Sequence, residues 1–175
     1  LIESNSLYIG NDPSSTTDDA QSNLAVGVTA LDANTTGDFN VAVGHNALTA
    51  NTAGEANTSI GGYALSANTT GSYNNAVGGA ALSSNTTGGW NTANGFNSLV
   101  TNTTASGNTG IGAFALRYNT TGSYNTSIGH KSLEANTTGT RNIAIGISAL
   151  DAADTENDNL AIGYDALGGS IAGGE

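Results

Sequence analysis

Residues 125–141 read NTSIGHKSLEANTTGTR, and this phrase recurs along the chain with no insertion or deletion. Its leading Asn falls at Asn23, Asn40, Asn57, Asn74, Asn91, Asn108, Asn125, Asn142 and Asn159, each step being 17 residues. A Gly follows four places on in every copy: Gly27, Gly44, Gly61, Gly78, Gly95, Gly112, Gly129, Gly146 and Gly163. A Leu recurs likewise from Leu31 to Leu167, and a degenerate copy, Ser6-Leu7-Tyr8-Ile9-Gly10, precedes the series in register. Such a period is the signature of stacked repeats, in which each copy contacts mainly its neighbours.

Helix does not fit the unit, because each copy carries two glycines and a run of Asn, Thr and Gly that interrupt a helical run. Two short strands per copy fit better, at 125–128 and 131–135 in the quoted stretch. Gly129 turns the corner between them, and Asn-Thr-Thr-Gly makes the second turn, with Gly139 free to take positive φ. The expected fold is therefore all-β, a β-solenoid of the parallel β-roll kind with about ten 17-residue coils. Residues 1–22 form an imperfect first coil or cap, with Pro13 unable to donate to a strand ladder. Residues 23–141 are the regular repeats. Residues 142–175 keep the first half of the unit and alter its loop to AADTEND. Equivalent residues should stack, with Leu48, Leu65, Leu82 and Leu99 in one inward row and Val43, Ile60 and Val77 in another. Asn94 interrupts the second row, which predicts a buried polar atom there. The invariant glycines should sit where no side chain fits.

Composition narrows the function. The net charge of −11 opposes binding to nucleic acid. Of the acids, seven lie at or before Glu55 and seven at or after Glu134, so the middle is uncharged apart from Arg117 and Lys131. There is no Cys, hence no disulfide framework or thiolate metal site. No apolar run is long enough to insert in a bilayer. The chain begins without Met and stops partway through a copy, as a piece of a longer protein would. The fixed return of Gly, Leu and Val or Ile argues against disorder despite the low complexity. With only two large aliphatics per copy the core is thin, which predicts association of chains, as a homotrimer or another homo-oligomer.

Several rows invite a chemical reading. Asn34, Asn51, Asn68, Asn85, Asn102, Asn119 and Asn136 open the second turn, and all but Asn51 are followed by Thr-Thr. They read as glycosylation sequons or, more simply, as a ladder of stacked amides. The paired threonines, Thr35/Thr36 to Thr137/Thr138, raise ice binding, although adjacent residues of an extended segment point to opposite faces. Phe39, Tyr73, Trp90 and Tyr124 precede leading asparagines and form a row that would contact a sugar or stiffen a turn. Asp154, Glu156 and Asp158 space carboxylates two apart and suit Ca²⁺ as the one candidate metal, with a weaker echo at Asp12, Asp18 and Asp19. His45 and His130 lie five copies apart and cannot share a metal within one chain. No nucleophile, acid–base pair or catalytic grouping emerges, and an enzyme is not expected.

The repeats resemble those of bacterial and phage tail-fibre-domain proteins. They are also similar to the heads of trimeric autotransporter adhesins of the YadA type, through Asn142-Ile-Ala-Ile-Gly146 and Asn159-Leu-Ala-Ile-Gly163. The resemblance implies a left-handed parallel β-roll in a trimer, exposed outside a cell or on a virion. Two functions follow as expectations. The first is a structural segment of an extracellular or virion fibre or adhesin that projects a receptor-binding or anchoring part. The second is a solenoid whose aromatic or threonine rows bind a cell-surface glycan, a receptor or ice.

Overall fold

The computed structural model describes residues 2–3, 6–10, 20–152 and 155–169. All of its regular structure is β. After β1 (Ile2–Glu3) and β2 (Ser6–Gly10), one short strand recurs per repeat: β3 (Leu24–Gly27), β4 (Val41–Val43), β5 (Thr58–Ile60), β6 (Asn75–Val77), β7 (Thr92–Asn94), β8 (Thr109–Ile111), β9 (Thr126–Ile128), β10 (Ile143–Ile145) and β11 (Leu160–Ile162). They form a single sheet in sequence order. From β2 onward every pairing is parallel and joins residues 17 apart, as in Ala76↔Ala93. The chain is a β-solenoid with a 17-residue coil, and β3 to β11 delimit eight described turns. At the amino-terminal edge β1 folds back antiparallel on β2 and pairs Ile2 with Leu7. Pro13, Asp12, Asp18 and Asp19 lie outside the described residues.

The second strand expected at 131–135 does not form. That segment is a succession of turns, with Lys131 at φ 61° and Leu133 at φ 49°. The reason is visible in the repeat itself. Ser132 and Leu133 are consecutive and both fully buried, which an extended chain with alternating faces cannot achieve. A left-handed backbone at the Leu rolls both side chains inward. The same geometry repeats at Leu48, Leu65, Leu82, Leu99, Leu116 and Leu150. Backbone bonds still link neighbouring coils here, as from Leu65 N to Ala81 O at 3.0 Å.

The core is thinner than the sequence suggests. The Leu row is inside at every regular coil, but the Val/Ile row is not. In each strand only the middle residue points inward, and it is small: Ala42, Ser59, Ala76, Ala93, Gly110, Ser127 and Ala144. Val43 and Val77 are half-buried, while Ile60, Ile111 and Ile128 are exposed on the outer face. Asn94 is likewise exposed, so the buried polar atom expected there does not exist. The Leu from the following turn fills the space behind the strand and leaves room for no more than Ala or Ser. Each buried Leu contributes about 1.5–3 kcal/mol. Inter-coil hydrogen bonds must carry much of the rest.

Candidate functional site

Two ladders of asparagine amides run through the interior. In the first, Asn57 Oδ1 accepts from the Asn74 backbone N at 3.0 Å. Its own Nδ2 donates to Gly71 O at 2.9 Å. In the second, Asn68 Nδ2 donates to Asn51 Oδ1 at 2.9 Å and to the same Gly71 O at 2.9 Å. The loop carbonyl of each regular coil is thus gripped by both asparagines of that coil. The pattern extends from Asn34 to Asn136, all fully buried. A buried amide whose N–H groups are bonded on both sides offers nothing to a glycosyl donor in the folded chain. At the end of the series Asn136 Oδ1 is buried with no hydrogen-bond partner among the described residues. The sequence has Ala153 where the next rung would stand.

Both glycine rows have steric causes, and they differ. The corner glycines sit near φ +135°; at Gly78 (φ +138°) an added Cβ would lie 2.6 Å from Gly95 O. Gly139 and the other loop glycines do not take positive φ, contrary to expectation. A Cβ at Gly37 would meet the Gly54 carbonyl of the next coil, as at the corner glycines, and would also fall 2.6 Å from Asn34 Oδ1. The loop glycine makes room for the amide ladder, and where Ala105 replaces it the carbonyl still accepts from Asn91 at 2.9 Å.

The outer surface of the strands is one continuous face. Its first row runs Leu24, Val41, Thr58, Asn75, Thr92, Thr109, Thr126, Ile143, Leu160, and its second Val26, Val43, Ile60, Val77, Asn94, Ile111, Ile128, Ile145, Ile162. No charged residue occupies either row. The threonine pairs lie elsewhere and split in role. Thr52, Thr69, Thr86, Thr103 and Thr120 donate their hydroxyls to carbonyls of the next coil. Their neighbours Thr70, Thr87, Thr104 and Thr121 face solvent.

The residue before each leading Asn is left-handed, at φ 58° for Phe39, 61° for Tyr73, 62° for Trp90 and 62° for Tyr124. All four rings project outward; Trp90 is 67% and Tyr124 68% exposed. Tyr73 and Trp90 stack face to face, centroids 4.2 Å apart and planes 13° off parallel. The Tyr124 ring lies over Gly107, where a Cβ would come within 2.7 Å of it. In the same row Arg141 and Asp158 form an exposed pair, with Arg141 Nε 2.6 Å from Asp158 Oδ1 and Nη2 2.8 Å from Oδ2. The hydrogen bonds raise Arg141 above its ordinary pKa and lower Asp158 below its own, with charge attraction acting in the same sense.

That pairing bears on the expected Ca²⁺ cluster. Asp158 is turned to Arg141, Asp154 lies outside the described residues, and no group of three metal-ligating side chains occurs among the described ones. His45 and His130 each meet a ring on the surface, Tyr63 and Phe114 respectively. Those contacts belong to a second aromatic corner, just after the corner glycines, which the spacing alone did not announce. The residues there vary from coil to coil, so no constant letter marks the row. No cavity opens among the described residues, and none of their helices is long and apolar enough to cross a membrane. No protein family, curated protein or solved structure matches the chain.

Proposed function

We propose that the chain is a structural repeat segment of an extracellular or virion fibre or adhesin, assembled as a homotrimer, that holds a receptor-binding or anchoring part at a distance. The outward strand face carries this reading. Exposed Ile111, Ile128, Ile145 and Ile162 lie in register along the stack, with Ile60 in the same row beyond Val77 and Asn94, and exposed apolar patches mark interaction surfaces. The face is free of charge on a chain with 14 acids, so identical copies meeting there place no like charges together. Interior ladders that tie each coil to the next suit a stiff spacer, about 4.8 Å long per coil. The resemblance to tail-fibre and adhesin repeats, and with it an exterior location and left-handed winding, is consistent with this use.

The test is native mass spectrometry of the fragment beside its Ile111→Asp and Ile128→Asp variants. The expected result is a trimer that the variants dissociate into folded monomers. A wild-type monomer at high concentration sinks the proposal.

A ligand-binding solenoid is the second reading, supported by the exposure of Trp90 and Tyr124. The facing surfaces of Tyr73 and Trp90 are spent on each other, which favours stiffening over sugar contact at that pair. Retention on a glycan array that disappears in Trp90→Ala would establish binding there. Ice binding has weaker support, because half of the threonine hydroxyls are engaged within the fold.

A further inference from the structure

The second aromatic corner changes character over the coils from Gly95 to Glu134. Phe114 makes edge contacts with Phe96 (5.5 Å, 89°) and with His130 (5.8 Å, 79°). The Arg117 guanidinium lies 5.0 Å from the Phe114 ring centre and 4.9 Å from that of Tyr118. Arg117 Nη1 reaches Glu134 Oε1 at a long 3.4 Å, and Lys131 Nζ stands 3.6 Å from Oε2 of the same carboxylate. One acid therefore faces two cations, and the cluster is locally positive on an acidic chain. The third cation, Arg141, is committed to Asp158.

We propose that Arg117, flanked by Phe114 and Tyr118 and bordered by Phe96, is a recognition site for a carboxylate-bearing saccharide such as a uronic acid residue. Two rings and one weak acidic contact hold the guanidinium in place, so little of its rotamer freedom remains to be lost on binding. Its other N–H groups have no protein acceptor among the described residues, and the side chain stays 35% exposed. A guanidinium presents a planar fork that a carboxylate meets with two parallel bonds. Phe96 and Tyr118, both about half exposed, offer apolar surface to the carbon face of a sugar ring. Glu134 competes for the same donors and sets the affinity. The cluster lies on the turn after the corner glycine, away from the strand rows, so it does not depend on trimer formation.

The test is calorimetric titration at low salt with trigalacturonate, with neutral maltotriose and with sodium sulfate as separate probes. Binding of trigalacturonate alone is expected. Arg117→Gln should weaken it about tenfold or more, as loss of a charge-assisted bidentate contact does. Glu134→Gln should tighten it severalfold by removing the internal competitor. Unchanged native mass and melting midpoint in each variant separate this effect from folding. Equal affinity for maltotriose or sulfate, no binding of trigalacturonate, or Arg117→Gln and Glu134→Gln variants that both bind like wild type would each overturn the assignment.

Discussion

The coils from Asn40 to Asn136 and the last turns after Asn142 are written in nearly the same phrase, yet they are not equally built. In the first region Leu48 to Leu133 are fully buried, and each loop asparagine donates to the one before it. In the second, Leu150 is still buried but Leu167 is 45% exposed, and among the described residues the loop amide ladder ends at Asn136 Oδ1, which has no partner there. Part of the difference is in the letters, since Ala153 stands where the next ladder asparagine would fall; the exposure of Leu167 is not. A leucine of this repeat is interior where the next coil stacks on it, as at Leu150, whose N–H donates to Ala166 O, so stability resides in the interfaces between coils.

The sharpest way to break that comparison is a pair of valines. Gly78→Val meets the Gly95 carbonyl and a forbidden φ together, and should cost on the order of 3 kcal/mol or more by urea unfolding. Gly163→Val has the same kind of backbone, φ +130°, but among the described residues its Cβ would meet only Ala166, at 3.8 Å. Its cost should be markedly smaller. Equal losses would show that φ, not the neighbouring coil, dictates glycine.

A leucine pair sharpens the point. Leu82→Ala should destabilise by about 2–5 kcal/mol, in the range of fully buried leucines. Leu167→Ala should cost under about 1 kcal/mol. Thermal melts followed by circular dichroism distinguish the two. A smaller gain is expected from Ala153→Asn, which restores the missing letter of the ladder and gives Asn136 Oδ1 a donor. About 1 kcal/mol of added stability follows from satisfying a buried acceptor, and no gain would mean that the ladder is finished by other means.

The smallest effect concerns Arg141 and Asp158. The Asp158 carboxyl is held below its ordinary value of 3.8, so its contribution is complete above that pH and fades as pH falls through the lowered value. Both groups are exposed, and salt screens such pairs. Asp158→Asn should lower the melting temperature only slightly at neutral pH and converge with wild type in acid, where the wild-type carboxyl is protonated.

Much of this was legible beforehand, for a physical reason. Stacking identical coils forces equivalent residues into rows, so the 17-residue step alone yields the sheet, its register and the inward leucines. What escaped was the path within one coil. Val43 and Ile60 look like core residues, but their direction depends on whether Ala64-Leu65 is strand or turn, and a left-handed Leu at φ 49° is not a conformation that its residue type advertises. The strand face is outward for the same reason, although the spacing places Val43, Ile60 and Val77 in an inward row. Phe96, Phe114 and Arg117 escaped because a site made once, across three coils, has no period to reveal it.

The amide ladders give the rod a direction that its outline lacks. Backbone bonds between coils run both ways, Thr58 donating forward to Asn74 O and Gly61 backward to Val43 O. The side-chain amides do not alternate. Asn51, Asn68 and Asn85 all point their N–H groups at the preceding coil and their oxygens at the next. Aligned dipoles of this kind reinforce one another in a low-dielectric interior. The row of side-chain amides therefore has a sense of its own along the axis, with its oxygens facing the Asn136 end. A coil can lengthen that row only if it presents its amide in the same sense, so the ladder can be extended in one orientation and not in the other.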